Sequence, residues 1–376
     1  MIVKRVPIDT YCEKKVPTLQ KTYDGLIDYL DISSVDNAEK RIISYQTIRS
    51  SNAPSRAKQL LKKGDVLVST VRPNLNAVAV VEEETENLMV GSTGYCVLRC
   101  KENIDVRYLF NFCQSQYFID DMSSQATGAS YPAVSNSIVR NSLIPCHSIE
   151  EQRKIAEKID TVSELIAFRK QQLVELDELV KSRFIELFGD RYTNDKKWDN
   201  KPLYECADFY NGKAHEQVVD ENGEYILVTS RCIASDISDY RRTNALLFPL
   251  QVNDIAMVMS DVPNGRALAK CVLIDEDGKY TLNQRICCLR NYSFNPIFFY
   301  YLLNRHEYFL SFNDGNAQTN LRKDDLLACN IIIPPMELQE QFAAFVEQTD
   351  KSKVAIQQSL NKLELLKKSL MQEYFG

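Results

Sequence analysis

The chain has 376 residues, of which 44% are hydrophobic and 26% are charged, as in an ordinary globular protein long enough for two or three domains. No stretch reaches the roughly 18–20 consecutive apolar residues that span a bilayer, and residues 1–5 lack the apolar core of a signal peptide, which predicts a cytoplasmic protein with no membrane partner. The net charge of −6 argues against a uniformly basic nucleic-acid binder, but residues 1–75 carry 13 Lys/Arg against 8 Asp/Glu, and local surfaces decide phosphate contact.

The first predicted elements are short strands followed by one aromatic helix. Residues 29–35 read as a strand that runs into a polar turn. A turn pair and a β-branched run at residues 64–69 have the pattern of a buried strand. A Pro-Asn turn follows at residues 73–74, a further strand at residues 97–99, and a short helix around residues 108–110. This order of elements indicates a globular α+β unit.

A long helix comes next. Ile144 and Pro145 precede it, Ser148 and Glu151 form a capping box at its start, and Gly189 ends it. Arg169 and Arg183 fall on its apolar seam, where cations lower stability but help to fix pairing register. Its apolar residues keep the alternating spacing of four and three residues that is typical of a coiled coil: Ile155, Ile159, Val162, Ile166, Leu173, Leu176, Val180 and Leu187.

The same series of elements then repeats. Residues 225–233 match the first strand and turn, and residues 253–258 match the buried strand. A second Pro-Asn turn stands at residues 263–264, followed by a strand at residues 288–290 and an aromatic helix around residues 299–301. A repeated series predicts that one structural unit occurs twice in the chain.

A second long helix ends the chain. Pro334 and Pro335 mark its start, and Lys353 and Lys367 interrupt its seam. At a rise of about 1.5 Å per residue, each helix of about 40 residues would be near 60 Å long. The seam again keeps the coiled-coil spacing: Phe342, Val346, Thr349, Ile356, Leu360, Leu363, Leu370 and Tyr374.

The repeat predicts an α+β fold in which two pseudo-repeated globular α+β domains are separated by two long antiparallel coiled-coil helices. The predicted divisions are domain 1 at 1–145, a central helical spacer at 146–190, domain 2 at 191–333 and a C-terminal helical spacer at 334–376. DNA strands are antiparallel, so two modules related by an approximate twofold suit a DNA target with two halves.

Motifs for catalysis and metal binding are weak in this sequence. There is no Gly-x4-Gly-Lys-Ser/Thr loop for a nucleoside triphosphate. Residues 295–298 faintly match an amino-methyltransferase loop but are better read as a helix start, and residues 275–279 are better read as an acidic turn than as a nuclease site. The eleven cysteines are scattered without a Cys-x-x-Cys pair, which indicates reduced, mostly buried thiols and neither zinc nor disulfides.

Polar loops follow the predicted strands in both units and supply candidate DNA-binding residues. Arg suits guanine edges, Asn and Gln suit adenine edges, and Lys suits phosphates. The two loop sets differ in sequence while the strands around them agree, as expected if each unit reads a different sequence. The candidates are Arg49, Arg56, Lys58, Arg72, Asn74, Asn76 and Tyr131 in the first unit, and Arg231, Arg241, Arg242, Asn264, Arg266, Gln284, Arg285, Gln318, Asn320, Arg322 and Lys323 in the second.

With these features the chain resembles the specificity (S) subunits of Type I restriction-modification systems over nearly all of its length. The resemblance rests on two Ile-Pro … Glu-Gln helix starts, two Lys-Ser … Phe-Gly helix ends, and the paired Gly-Asp-Val and Asn-Asp-Ile strands. Trp198, Leu203 and Gly212 resemble the opening of a target recognition domain.

The resemblance implies a non-catalytic DNA-binding subunit of a restriction system that reads a bipartite target in double-stranded DNA. It implies two modification (methyltransferase) subunits as partners, which use S-adenosylmethionine for adenine methylation, and allows motor-restriction subunits that use ATP with Mg²⁺. No cofactor and no metal would be bound by this chain itself. The alternative is a helical scaffold or adaptor that pairs two identical proteins without DNA.

Overall fold

The computed structural model describes residues 3–261, 267–313 and 319–376. The chain forms two compact units. Unit 1 comprises Met1–Gln171 and Gln357–Gly376, and unit 2 comprises Gln172–Ile356. Each long helix is therefore divided between the two units, because it contributes one segment to each of them.

Unit 1 is built from short strands and three short helices. Its strands are β1 Arg5–Pro7, β2 Leu26–Leu30, β3 Val35–Asp36, β4 Arg41–Ile42, β5 Gln46–Arg49, β6 Ala57–Leu60, β7 Val66–Ser69, β8 Val78–Val80, β9 Leu88–Ser92, β10 Tyr95–Leu98 and β11 Leu143–Pro145. Its helices are α1 Val106–Cys113, α2 Gln116–Ser124, α3 Asn136–Asn141 and the first part of α4 Ile149–Phe188. Four single 3-10 turns lie at Ile8–Thr10, Ile32–Ser34, Ser50–Asn52 and Pro73–Leu75.

Two sheets organise unit 1. One has the order β5-β2-β9-β6, in which β2 and β9 run parallel, and the other has the order β10-β7-β8 with antiparallel neighbours. All four residues of β7 are buried, as its β-branched run predicts. The main core of the unit lies between the second sheet, α1 and α2, and it also takes in Phe375 from the end of the chain.

Unit 2 repeats this composition. Its strands are β12 Asn200–Pro202, β13 Asp208–Asn211, β14 Tyr225–Val228, β15 Arg241–Thr243, β16 Ile255–Val258, β17 Ser260–Asp261, β18 Cys271–Leu273, β19 Tyr280–Leu282, β20 Ile286–Arg290, β21 Thr319–Asn320 and β22 Asn330–Ile332. Its helices are α5 Leu203–Cys206, α6 Ser230–Ala234, α7 Pro296–Leu303, α8 Glu307–Leu310, α9 Lys323–Leu327 and, shared with unit 1, α10 Met336–Phe375.

The strand pairing of unit 2 follows that of unit 1. The order β15-β14-β19 has a parallel β14·β19 pair, which matches the parallel β2·β9 pair, and β20-β16-β18 matches β10-β7-β8. In both units the first strand pairs with the last, as β1 with β11 and as β12 with β22. The predicted repeat of an α+β unit is thus confirmed at the level of topology.

The two units also repeat one buried ion pair. Asp65 receives a bidentate pair of hydrogen bonds from Arg99, at 2.8 and 2.7 Å. Asp254 receives the same pair from Arg290, at 2.7 and 2.6 Å. Each pair links the turn before one strand, β7 or β16, to the end of the neighbouring strand, β10 or β20. Removing one partner of a buried ion pair lowers the free energy of unfolding by about 3–5 kcal/mol.

In the first turn of each long helix, a glutamine side chain binds the segment that precedes the helix. The Gln152 side chain donates to the His147 carbonyl at 3.0 Å and accepts from the Asp105 N–H at 2.9 Å. The Gln339 side chain donates to the Pro334 carbonyl at 2.8 Å and accepts from the Asn295 N–H at 2.9 Å. These bonds fix the helix start against α1 in one unit and against α7 in the other.

The long helices pack antiparallel within each unit. In unit 1, Lys158 donates to the Tyr374 hydroxyl at 3.2 Å, and Lys170 lies 3.6 Å from Glu364. In unit 2, the rings of Phe184 and Phe342 pack edge to face with centroids 5.4 Å apart, and Lys353 pairs with Asp177 at 2.7 Å. As the residue numbers increase along α4, those of the contacting residues on α10 decrease, which confirms the predicted antiparallel pairing.

Three local predictions are also confirmed. Ser148 and Glu151 exchange capping-box bonds of 3.1 and 3.3 Å. Gly189 ends α4 with a left-handed φ of 76°. Asn295 caps α7 by accepting from two backbone N–H groups, as predicted for a helix start at residues 295–298. Among the described residues no helix is long and apolar enough to cross a membrane.

Candidate nucleic-acid interface

In unit 1, several loops meet where strands β2, β7 and β9 end. Parallel strands place their carboxyl ends at one edge of a sheet, so the loops after β2 and β9 are neighbours. The Thr70 N–H and hydroxyl both donate to the Gly94 carbonyl at 2.9 Å. The Arg72 N–H donates to the Pro132 carbonyl at 2.7 Å. We call this surface, formed by residues 31–34, 56–58, 70–76, 93–94 and 127–134, the unit 1 loop edge.

The predicted residues Arg56, Arg72 and Tyr131 lie on the unit 1 loop edge. Arg56 forms an ion pair with Asp31 at 2.7 Å and stays 52% exposed. Arg72 lies over the ring of Tyr131, with 5.3 Å from its guanidinium carbon to the ring centroid. Tyr131 itself is 57% exposed. The Tyr29 hydroxyl and Asp31 hold the pKa of Arg56 above its usual value. The guanidinium therefore keeps its positive charge and can donate hydrogen bonds to a ligand.

Of the other predicted residues of unit 1, Lys58 and Asn74 are exposed within the loop edge, Asn76 is buried beneath it, and Arg49 lies outside it. Lys58 is exposed on β6, and Asn74 is exposed in the turn after Arg72. Arg49 pairs with Leu26 in the β2·β5 register, so it lies at the opposite end of β2 from the loop edge.

Asn76 occupies the interior. It is 6% exposed, and its amide donates to the Cys113 carbonyl at 2.8 Å. The Lys40 amine donates to both oxygens of Asn76, at 2.5 and 2.9 Å. Because its polar groups are used inside the unit, we assign Asn76 a structural role and leave it out of the interface.

Unit 2 brings its loops together at the corresponding strand ends. The Asn283 N–H donates to the Val228 carbonyl at 3.1 Å, and the Met259 N–H donates to the Arg285 carbonyl at 3.1 Å. The Leu321 N–H donates to the Met259 carbonyl at 2.7 Å. We call residues 229–235, 283–285 and 320–323 the unit 2 loop edge.

Gly212 lies directly beside the unit 2 loop edge. A Cβ atom built on Gly212 would lie 2.0 Å from the Asn283 carbonyl oxygen, far inside contact distance. Only glycine therefore lets β13 pass this loop, which gives a physical reason for the glycine in the predicted opening of the second domain.

Several predicted residues of unit 2 lie on exposed loops. Arg231 pairs with Asp239 at 2.5 Å, and Lys323 lies over the Phe209 ring at 5.2 Å. Arg285 is exposed with a left-handed φ of 70°. Asn320 and Arg322 are exposed on either side of the buried Leu321, and Arg241, also exposed, lies opposite Leu227 near the end of β14.

Two further predicted residues of unit 2 are engaged by the protein itself, and three are outside the structure. Arg242 donates to the carbonyls of Gly223 and Glu224 at 3.3 Å each, so it supports the turn before β14. The Gln284 side chain donates to Glu216. Asn264, Arg266 and Gln318 lie outside the described residues.

Sequence reasoning missed the residues that hold the candidates in place. Asp31 and Tyr29 orient Arg56, and Lys40 supports the turn that carries Asn74. Burial, with the nearby Lys367 charge, lowers the pKa of Lys40 to about 8. The spacing of Asp31 and Ser34, three residues apart after a strand, was a signal for a cap, but no signal linked Asp31 to Arg56.

The ionisable groups of both units suit binding better than covalent chemistry. No group of three or more His, Cys, Asp or Glu in the described parts of the chain is arranged to hold a metal ion. All eleven cysteines lie within the described ranges and are free thiols, and eight of them are buried. Burial raises the pKa of thiols such as Cys12 and Cys329 to about 12, so they stay protonated and unreactive.

The chain matches the family model of the Type I restriction modification DNA specificity domain twice, at residues 10–178 and 194–365. It is 24% identical over 126 residues to the MjaVIII specificity subunit of Methanocaldococcus jannaschii, and 24% identical over 164 residues to the HindI specificity subunit of Haemophilus influenzae. These matches cover 32% and 42% of this chain, and the chain spans only 29% and 35% of the length of the two relatives.

Two solved structures have the same fold. One chain, from work on complex assembly and conformational transition of the type I R-M system, gives a TM-score of 0.67 at 22% identity, over 99% of this chain and 97% of that one. The S subunit from M. genitalium gives 0.56 at 14% identity, over 99% and 96%. At these identities the likeness establishes the fold alone.

Proposed function

The chain belongs to the family of Type I restriction modification DNA specificity domains, and from that premise we propose that it is the sequence-specificity subunit of a methyltransferase or endonuclease complex. Each unit would read one half of a bipartite DNA target through its loop edge. The observation that carries the proposal is the repetition of one scaffold, with the same strand pairing and the same buried Asp–Arg pair, under loops whose residues differ. Two readers of this kind suit a target with two different halves.

The composition of the loop edges supports contact with DNA. Exposed Arg56 and Arg72 in unit 1, and Arg285 and Arg322 in unit 2, supply the donors that phosphates and guanine edges accept. Exposed Tyr131 adds an aromatic surface beside Arg72. The overall charge of −6 leaves room for partner subunits to supply much of the remaining phosphate neutralisation.

The outer faces of the long helices support docking of protein partners. Phe168 is 56% exposed and Leu365 is 69% exposed in unit 1, while Val174 and Ile185 are 56% and 61% exposed in unit 2. These side chains lie off the packed seam, and apolar residues held on a helix surface suit contact with another protein. We propose that two modification subunits dock there and supply adenine methylation with S-adenosylmethionine, and that restriction subunits using ATP with Mg²⁺ are able to join them.

The salt dependence of DNA binding tests this proposal against a protein-only scaffold. The full chain would be assembled with its modification subunits, and its affinity for target-bearing duplex would be measured from 50 to 200 mM salt. We expect a steep fall of about 1,000-fold or more, because released counterions accompany each phosphate contact. Assembly with partner proteins but no salt-dependent DNA affinity would support the scaffold instead.

A further inference from the structure

Arg56 on the unit 1 loop edge is held by two groups at the end of β2. Its Nη2 lies 2.7 Å from Oδ2 of Asp31, and its Nε donates to the Tyr29 hydroxyl at 3.1 Å. Both partners are themselves fixed. The Tyr29 side chain is 1% exposed, Oδ1 of Asp31 accepts from the Ile32 N–H at 2.7 Å, and the Asp31 carbonyl accepts from the Tyr95 hydroxyl at 2.6 Å. The protein therefore sets the orientation of this guanidinium before any ligand binds.

The two bonds leave one end of the guanidinium fork available. A guanidinium has five N–H donors in a rigid plane, and Tyr29 and Asp31 take one on Nε and one on Nη2. Both donors of Nη1 and the second donor of Nη2 have no partner among the residues that the structure describes, and the side chain is 52% exposed. Two parallel donors at the end of a fixed fork match the O6 and N7 acceptors of guanine in the major groove.

A phosphate makes weaker demands on the protein. A guanidinium fork can bind phosphate bidentately, but phosphate contact does not require a fixed fork, because Lys binds phosphate as a point charge. The carboxylate of Asp31 instead neutralises part of the local positive charge of Arg56 and holds its guanidinium in a fixed direction. This exchange lowers general attraction to a polyanion and favours a directional contact with a base edge.

We infer that Arg56 reads a guanine in the half of the target recognised by unit 1, and that Tyr29 and Asp31 are positioning residues that aim its fork. The inference rests on the proposed function and adds to it one specificity-determining residue and one base. Arg72 lies over the Tyr131 ring on the same loop edge.

Methylation by the assembled complex tests the inference. Rates would be compared on the preferred duplex and on duplexes with one base pair changed at each position. Arg56→Lys keeps the charge but loses the fork, so we expect discrimination at one G·C pair of the unit 1 half to fall about 10-fold to 100-fold, with the other half unaffected. Asp31→Asn should give a smaller loss at the same pair. Arg41→Lys, at an exposed arginine of β4 that pairs with Glu39 and lies outside the loop edge, is the matched control and should change nothing.

Two results would overturn the inference. If Arg56→Lys leaves every base preference intact, Arg56 does not read a base. If the variant lowers the methylation rate equally on all duplexes, Arg56 contacts a phosphate and not a base. Unchanged discrimination in the unit 2 half shows in the same assay that the variant is folded and assembled. The target sequence of the wild-type complex is measured first. A target that is not split into two halves would refute the proposed function itself.

Discussion

His306 shows how burial of one side chain ties stability to pH. It is 1% exposed and caps α8, with its Nδ1 accepting from the Tyr308 N–H at 3.1 Å. Its buried Nε2 has no hydrogen-bond partner among the described residues. Burial, assisted by the nearby Arg191 cation, lowers the pKa of His306 to about 4. The folded state therefore holds a neutral imidazole over a range in which an unfolded chain would bind a proton.

This burial predicts that unit 2 loses stability as the pH falls. The unfolded imidazole, with a pKa near 6.5, takes up a proton first, so the free energy of unfolding should drop by about 2 kcal/mol between pH 7 and pH 5. His306→Asn keeps a capping acceptor but cannot titrate, and should remove that part of the drop. Urea unfolding followed by fluorescence of the single Trp198, whose indole donates to the Phe188 carbonyl within unit 2, measures both. Equal pH dependence in the two proteins would contradict the assignment.

Single residues are also where sequence reasoning reaches its limit. Arg56 and Asn76 looked equivalent as polar residues in predicted loops. The structure exposes Arg56 and buries Asn76 under Lys40 and the Cys113 carbonyl. That difference depends on contacts between residues about 25–40 positions apart, which no local pattern encodes. The same holds for Asp31, whose role appears only once β2 and β6 are placed in one sheet.

At the scale of elements, the long helices were predictable because their pattern repeats over many turns. Every predicted apolar seam position from Ile155 to Leu187 and from Phe342 to Tyr374 is buried or half-buried. The predicted central strands are confirmed, since their runs are continuous and apolar. Short elements were harder to predict. Residues 225–233 were predicted to be a strand that runs into a polar turn, but Thr229 accepts from the Cys232 N–H and the helix α6 follows the strand. For an element this short, one capping hydrogen bond decides whether the chain forms a helix or a turn.

The helices give a prediction about the spacing between the two halves of the target. We expect that seven residues inserted in both helices, after Gln171 in α4 and after Ile356 in α10, will keep the seam in phase and lengthen each by about 10 Å. The preferred gap between half-sites should then grow by about three base pairs at 3.4 Å each, with both half-sites unchanged. Selection of methylated sites from a randomised library measures the gap.

A matched control separates length from mere insertion. The same seven residues placed in the exposed turn after Glu221 should leave the gap as it was. An unchanged gap after the helix insertions, or a changed half-site, would show that the helices do not set the distance between the recognised sequences.

For the whole molecule, duplication is the feature that sequence and structure share. The order of elements along the chain predicted two α+β units, and the strand pairings of both units agree. The family model also matches twice, once in each half of the chain. The division of both long helices between two compact units was not predicted, because it follows from which residues pack together and not from the helical pattern itself.

We propose above all that each unit reads its own half of a split DNA sequence. The most direct measurement is methylome sequencing of cells that express the modification subunits with this chain, or with a chain whose residues 191–333 come from a relative of different specificity. We predict a bipartite methylated motif for the first chain, and for the second a motif in which one half is replaced and the other half is retained. A continuous motif, or replacement of both halves together, would show that the two units do not read separate halves.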